Sequence, residues 1–379
     1  MKKVRQLKRQ KHAKKFGMAP GALVYVGAQG AAQQNFEPVI TLFEYQSDKI
    51  SERTLSLEDL SSLDLEKYLQ SNQKIWLNVH GVHVPDLIQK IGDLFHLHPL
   101  VLEDILTTHQ RPKLDAFGHY LFLEARSFEF DAAQLSMDSE QISFVLGQHF
   151  LLTFQERSTG IFEPVRTRLR AEQSQVREQG VDYLAYALLD CIVDRYFNVL
   201  EQVSDASEAL EENLLNQAAR VELRQIHQLK HLSVELRRAV WPLREVLNSL
   251  IRNEQGFFKP NTLPYLRDVI DHTVSYIESL ESIRDALAAM MDIYMANVSQ
   301  RVNLELRALT VVTMLFMPAT LITGIFGMNF DVMPLLKDHE GFWWTIGLMA
   351  TIASVMLLIF WRRQWVNRKI FSVDEGQEK

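Results

Sequence analysis

The sequence predicts an α/β domain followed by a long stalk helix and two C-terminal transmembrane helices. Near the C-terminus, residues 308–330 and 341–361 contain no Asp, Glu, Lys, Arg or His. Residues 262–326 contain almost no helix breakers, which is typical of one long helix. Residues 38–154 instead alternate short apolar runs with turn residues, which is typical of strands and helices in one domain.

The N-terminal half is expected to form a cytosolic α/β domain over residues 20–160, after a basic flexible tail of residues 1–19. Helical patterns lie near 84–95 and 100–106. Because strands and helices interleave, both parallel and mixed sheets are compatible with the pattern. Four short apolar runs are predicted to be strands: residues 75–79, 120–123, 141–146 and 150–154.

Residues 161–260 are expected to form an acidic helical hairpin region. Strand signals disappear, and leucines recur at three- and four-residue spacing between Leu200 and Leu215. Acidic residues from Glu201 to Glu212 occupy the opposite side. A run of charge is usually a solvated helix face, and the sharper alternative is a surface that attracts cations.

The stalk helix is predicted over residues 261–307 and continues into the first span. About 65 residues at a rise of about 1.5 Å give roughly 97 Å, more than one small domain can bury. We therefore expect the stripe to pack on other helices, including those of other subunits, and the alternative is a monomeric coiled-coil spacer. Its apolar stripe comprises Leu266, Ile270, Val274, Ile277, Leu280, Ile283, Leu287 and Met291.

The two uncharged runs are each long enough to cross a hydrocarbon core of about 30 Å. The expected first span is 308–330, the external loop 331–340 and the second span 341–361. A basic cytosolic tail, residues 362–379, follows, and Arg301 and Arg307 precede the first span. Since the basic flanks of membrane spans stay in the cytoplasm, both termini are expected on the cytoplasmic side. The membrane is expected to be the inner membrane of the cell.

The charge distribution argues against a nucleic-acid partner. Residues 2–15 carry eight Lys and Arg and no acid, so the rest of the chain is far more acidic than the net charge of −7 indicates. Such a region attracts cations and repels nucleic acid. No glycine-rich phosphate loop, nucleophile elbow or metalloprotease motif occurs, so an enzyme is not expected and transport would be passive.

One face of the first span carries polar and small residues three or four apart. Such a face either packs helices together or lines a water-filled path. Because it runs into Gly327-Met328-Asn329 at the outer end, we favour the path. The residues on this face are Asn303, Leu306, Thr310, Thr313, Met317, Thr320 and Gly324.

Neutral oxygens on this path suit Mg²⁺, which binds oxygen ligands and usually retains several waters. A ring of Asn329 amides could hold the hydration shell without stripping it, whereas a carboxylate ring would hold a divalent ion too long for conduction. Leu309 and Met317 are large and apolar, and rings of such residues can stop ions by dewetting.

The chain resembles the CorA-type divalent-cation channels of bacteria. Gly327-Met328-Asn329 after the first of two C-terminal spans is the signature of that family. Other segments that are similar to the family are residues 20–25, 98–106, 109–113 and 241–247. Together with the tripeptide, they extend the resemblance over nearly the whole chain after the basic tail.

The resemblance implies a funnel-shaped homopentamer in the lipid bilayer that passes Mg²⁺, with Co²⁺ as a further ion. It implies a selectivity ring at Asn329, within Gly327-Met328-Asn329. It also implies a regulatory Mg²⁺ site between Asp104 and Asp292 of neighbouring subunits, and a second site near Asp268. The residues that it places along the path are Asn303, Leu306, Leu309, Thr313, Met317, Thr320 and Gly324.

Two alternatives remain at this point. The same fold could carry Co²⁺, Ni²⁺ or Zn²⁺ as its main ion. A protein of a different class, a membrane-anchored sensor or scaffold, would use the long helix as a signalling rod and would have no need of Asn329.

Overall fold

The computed structural model describes residues 17–27, 37–60, 63, 73–215, 222–252, 254, 256–329, 333–335 and 339–363. The basic tails predicted at the two ends lie mostly outside the described residues, as does half of the predicted external loop. The chain divides into two units, Met1–Ala289 and Met290–Lys379.

The first unit contains a seven-stranded mixed sheet. The strands lie in the order β2-β1-β3-β7-β6-β5-β4. Among the described pairs, β3 and β7 are parallel and the others are antiparallel. The strands are β1 (Val39–Tyr45), β2 (Ile50–Leu55), β3 (Lys74–His80), β4 (Lys113–Ala116), β5 (Tyr120–Asp131), β6 (Ser136–Gly147) and β7 (Phe150–Gln155).

Six of the described helices follow the sheet in the chain. The helices predicted near 84–95 and 100–106 are α2 and α3, and each begins at a proline, which suits the first helical turn. The helices are α1 (Leu57–Leu60), α2 (Pro85–Leu94), α3 (Pro99–Ile105), α4 (Glu163–Arg170), α5 (Gln175–Glu178), α6 (Val181–Leu215), α7 (Glu222–Arg252), α8 (Leu263–Phe326) and α9 (Gly341–Arg362).

Helices cover both faces of the sheet, so the central strands are buried on both sides. On one face, Leu77 and Val79 of β3 share a core with Ile91 of α2 and Val101 of α3. On the other face, Trp76 of β3 and Phe144 of β6 contact the ring of Phe162, the residue before α4, with ring centroids 6.3 and 6.2 Å apart.

The apolar stripe of α8 is covered by the chain's own helices over most of its length. Leu266, Ile277, Leu280, Ile283 and Leu287 are buried within the single chain. The prediction that this stripe packs on neighbouring helices is confirmed as far as Leu287, and the described helices that cover it belong to the same chain. Packing on other subunits stays a prediction.

The covering helices are α6 and α7, which pack beside α8. The rings of Tyr196 and Tyr276 are 5.6 Å apart, and Arg237 Nε of α7 lies 3.6 Å from Glu281 Oε1. Sequence periodicity shows that a face is apolar but not which segment covers it. On α8, the first large apolar side chain that is exposed is Met295, beyond the covered stripe.

We expect Trp76→Ala to destabilise the sheet domain by about 3–5 kcal/mol, the usual cost of truncating a buried aromatic side chain. Trp76 has no exposed surface, and it stacks on Phe43 with ring centroids 4.8 Å apart. Its Nε1 donates to Thr153 Oγ1 at 2.9 Å, so the change also leaves a buried hydroxyl without this donor. The midpoint of thermal unfolding in detergent measures the loss. Trp241→Ala, on an exposed part of α7, is the matched control, and an equal loss in both variants would contradict the prediction.

Candidate functional site

The predicted path face lies on the part of α8 that belongs to the second unit. Asn303, Leu306, Leu309, Thr313, Met317, Thr320 and Gly324 are all exposed in the single chain, and Thr310 is half-buried. The face therefore combines polar oxygens with large apolar side chains, and the chain itself leaves nearly all of it uncovered.

The threonine hydroxyls on this face direct their protons into the helix. Thr310 Oγ1 donates to the Leu306 carbonyl at 2.7 Å, and Thr313 Oγ1 donates to the Leu309 carbonyl at 2.8 Å. Thr320 Oγ1 makes the same type of bond, in its case to the Phe316 carbonyl at 2.9 Å. Since the only hydrogen of each hydroxyl is engaged in this bond, the hydroxyl oxygen can only accept a further hydrogen bond. Acceptors of this kind suit the outward-pointing hydrogens of a hydrated cation.

The helix ends where Gly327-Met328-Asn329 begins. Gly327 N donates to the Thr323 carbonyl at 2.9 Å, and Met328 N donates to the Ile325 carbonyl at 3.2 Å. A Cβ at Gly327 would lie 3.2 Å from the Thr323 carbonyl oxygen, closer than most such contacts, so glycine suits this position. Asn329 directly follows and is exposed.

Asp104 lies near the end of α3 and is paired within its own subunit. Its carboxylate accepts hydrogen bonds from Gln110 Nε2 and Lys113 Nζ. The side chain is 21% exposed. Asp292 is exposed on α8. A contact between these two residues would join two subunits, so it stays a prediction.

A second group of possible ligands connects α6 to α8. Ligand atoms of Asp190, Asp194 and His272 all lie within 4.8 Å of one another. Asp268 Oδ2 lies 3.9 Å from His272 Nε2, which places the predicted second-site residue beside this group. Burial, aided by the charge of Asp194, raises the pKa of Asp190 to about 6. Carboxylate and imidazole groups in this arrangement could hold a divalent cation.

Sequence analysis missed Asp190, Asp194 and His272. The available signal was a pair of acids four apart on one helix and an Asp and His four apart on another. Each spacing alone is also typical of a solvated helix face. The packing of α6 against α8 turns two unremarkable pairs into one cluster.

These features can be set beside known proteins. The family model described as "CorA-like Mg2+ transporter protein" matches residues 71–364, well over half of the chain. The chain belongs to the CorA family. The resemblance drawn from Gly327-Met328-Asn329 is thereby confirmed.

CorA relatives match almost the full length of the chain. The cobalt/magnesium transport protein CorA of Thermotoga maritima is 38% identical over 355 residues, covering 93% of this chain and 98% of that protein. YfjQ of Bacillus subtilis, named a putative metal ion transporter, is 31% identical over 292 residues, covering 77% of this chain and 90% of that protein.

The CorA fold is also evident from a solved structure. The CorA magnesium transporter from Methanocaldococcus jannaschii matches with a TM-score of 0.73 and 22% identity, over 88% of this chain and 99% of that chain. Two described helices, Leu263–Phe326 and Gly341–Arg362, contain a segment long and apolar enough to cross a membrane. This CorA chain is therefore a membrane protein with an α/β domain, a long helix and two apolar C-terminal helices.

Proposed function

We propose that this CorA protein is a passive divalent-cation channel that carries Mg²⁺, and also Co²⁺, into the cell. One observation carries the proposal: on an uncharged, largely exposed face of a membrane-length helix, three threonine hydroxyls are left as acceptors, and the face ends at Gly327-Met328-Asn329. The names of its relatives, which are magnesium and cobalt transport proteins, support the choice of ions. No catalytic activity is part of the proposal.

In the proposed channel, the Asn329 amides form the outer selectivity ring, and the path continues along the exposed face of α8. Leu309 and Met317 form the constriction that closes it. Entry is driven by the inside-negative potential, about 2.3 kcal/mol per charge per 100 mV and twice that for a divalent ion. The protein spans the inner membrane. Both termini lie in the cytoplasm, and residues 331–340 lie on the outer side of the membrane.

Cytosolic Mg²⁺ is proposed to close the channel. The Asp104 carboxylate is an oxygen donor of the kind that Mg²⁺ prefers, and Asp292 of a neighbouring subunit would complete the site. Asp268 belongs to a second site with Asp190, Asp194 and His272. Without a bound cation, facing carboxylates repel, and neighbouring subunits separate.

We expect the protein to be a homopentamer. A subunit with two spans cannot enclose a path alone, and the exposed apolar side chains from Met295 onward need lipid or protein partners. Native mass spectrometry in mild detergent measures the assembly. A monomer as the only species at low and high protein concentration would contradict this prediction.

Ion flux into liposomes tests the proposed function. Purified protein is reconstituted, and uptake of Mg²⁺, Co²⁺, Ni²⁺ and Zn²⁺ is compared under an inside-negative potential. We expect Mg²⁺ and Co²⁺ to enter. Entry of Ni²⁺ or Zn²⁺ alone would favour the alternative ion, and the absence of all flux would favour the sensor or scaffold.

A further inference from the structure

A lysine holds the carboxylate of Asp104, the proposed regulatory ligand. Lys113 Nζ donates to Asp104 Oδ2 and forms an ion pair with it. The other oxygen, Oδ1, accepts a hydrogen bond from Gln110 Nε2. Both oxygens that could coordinate a cation are therefore engaged by donors of the same subunit.

Contacts with the neighbouring strands of the sheet hold this ion pair in place. Lys113 belongs to β4 and lies opposite Glu124 of β5. Its ammonium is 5.5 Å from the ring centroid of Phe122. On the other side, Gln141 Nε2 donates to the backbone carbonyl of Asp104 at 3.2 Å. Both residues of the ion pair therefore lie on regular secondary structure, Asp104 on α3 and Lys113 on β4.

The ammonium of Lys113 lies beside two carboxylates in a partly buried position. Its side chain is 30% exposed, so solvent screens the pair less than a fully exposed one. Besides Asp104, Asp115 Oδ2 lies 3.5 Å from Lys113 Nζ.

We propose that Lys113 is an internal counter-ion that raises the concentration of divalent cation needed to occupy Asp104. The inference rests on the proposed regulatory role of Asp104. An ammonium and a divalent cation compete for the same oxygen lone pairs. The apparent affinity for the cation is therefore the intrinsic affinity multiplied by the fraction of subunits whose carboxylate is free of Lys113.

The test measures the Mg²⁺ concentration that gives half-maximal protection of the full-length protein against proteolysis in detergent. Lys113→Met keeps an apolar stem over Phe122 and removes the charge. We expect the half-maximal concentration to fall roughly fivefold, as for the loss of a partly exposed ion pair. Lys113→Arg keeps the charge and should resemble the wild type, and Lys90→Met, an exposed lysine of α2, is the matched control.

A second neutral variant guards against a folding defect. Lys113→Gln retains a hydrogen-bond donor for Asp104 and should shift the half-maximal concentration in the same direction. Thermal unfolding without Mg²⁺ shows whether each variant is folded. In the double variant Lys113→Met/Asp104→Asn, we expect the value of Asp104→Asn alone, because the lysine acts through that carboxylate.

The outcomes separate the inference from the proposed function. If Asp104→Asn raises the half-maximal concentration and the neutral Lys113 variants leave it unchanged or raise it, the counter-ion role is wrong and the regulatory site stands. If Asp104→Asn changes nothing, both are wrong.

Discussion

Asn329→Ala is expected to reduce Mg²⁺ flux to the level of empty liposomes while the protein still assembles. Asn329 follows the end of α8 and is exposed, so its amide is free to contact an ion's water shell. Alanine removes the oxygen without adding bulk. Flux into liposomes measures the loss, and native mass spectrometry shows that assembly is retained.

Two further variants sharpen this prediction. Asn329→Asp keeps the size but adds a charge, so we expect tighter ion binding and slower flux than in the wild type. Asn198→Ala, at an exposed position on α6, is the matched control and should conduct normally. Wild-type flux from an assembled Asn329→Ala protein would show that the ring does not govern entry.

The double variant Asp104→Asn/Asp292→Asn is expected to lose most of the protection that Mg²⁺ gives against proteolysis. Neutral amides neither repel each other nor bind Mg²⁺ as carboxylates do, so in the proposed regulation the cation would no longer hold the subunits together. We expect the half-maximal Mg²⁺ concentration to rise by at least about tenfold, a free-energy difference of about 1.4 kcal/mol. The pore should still conduct.

The control for this double variant is Asp86→Asn. Asp86 is exposed on α2 and is not a proposed ligand. It should leave Mg²⁺ protection unchanged. If the Asp104/Asp292 variant is protected at the wild-type concentration, these two residues do not sense the cation.

Local sequence patterns were sufficient to predict the central strands and the membrane-length helices. β3 and β7 nearly coincide with predicted apolar runs. The runs 120–123 and 141–146 cover only one end of β5 and of β6, where both faces are buried. β1, β2 and β4 were not among the predicted strands. β1 includes Thr41 and Glu44 among its apolar residues. β2 is largely exposed at one edge of the sheet, and β4 has only four residues, so neither carries a strong apolar signal.

The proposed cation sites were less accessible to sequence reasoning because they depend on how distant segments pack. Asp104 was inferred from a family motif, but its pairing with Lys113 depends on how the chain turns between α3 and β4. The group of Asp190, Asp194 and His272 depends on the packing of α6 against α8. Periodicity within one helix cannot indicate either arrangement.

The C-terminal end of α8 has an electrostatic consequence at the proposed mouth. The aligned peptide dipoles of a helix place about half a negative charge at its C-terminus, where the last carbonyls lack helical partners. In the proposed assembly, each subunit brings one such end to the Asn329 ring. Because peptide dipoles do not titrate, this attraction for cations would persist in acidic surroundings that protonate carboxylates.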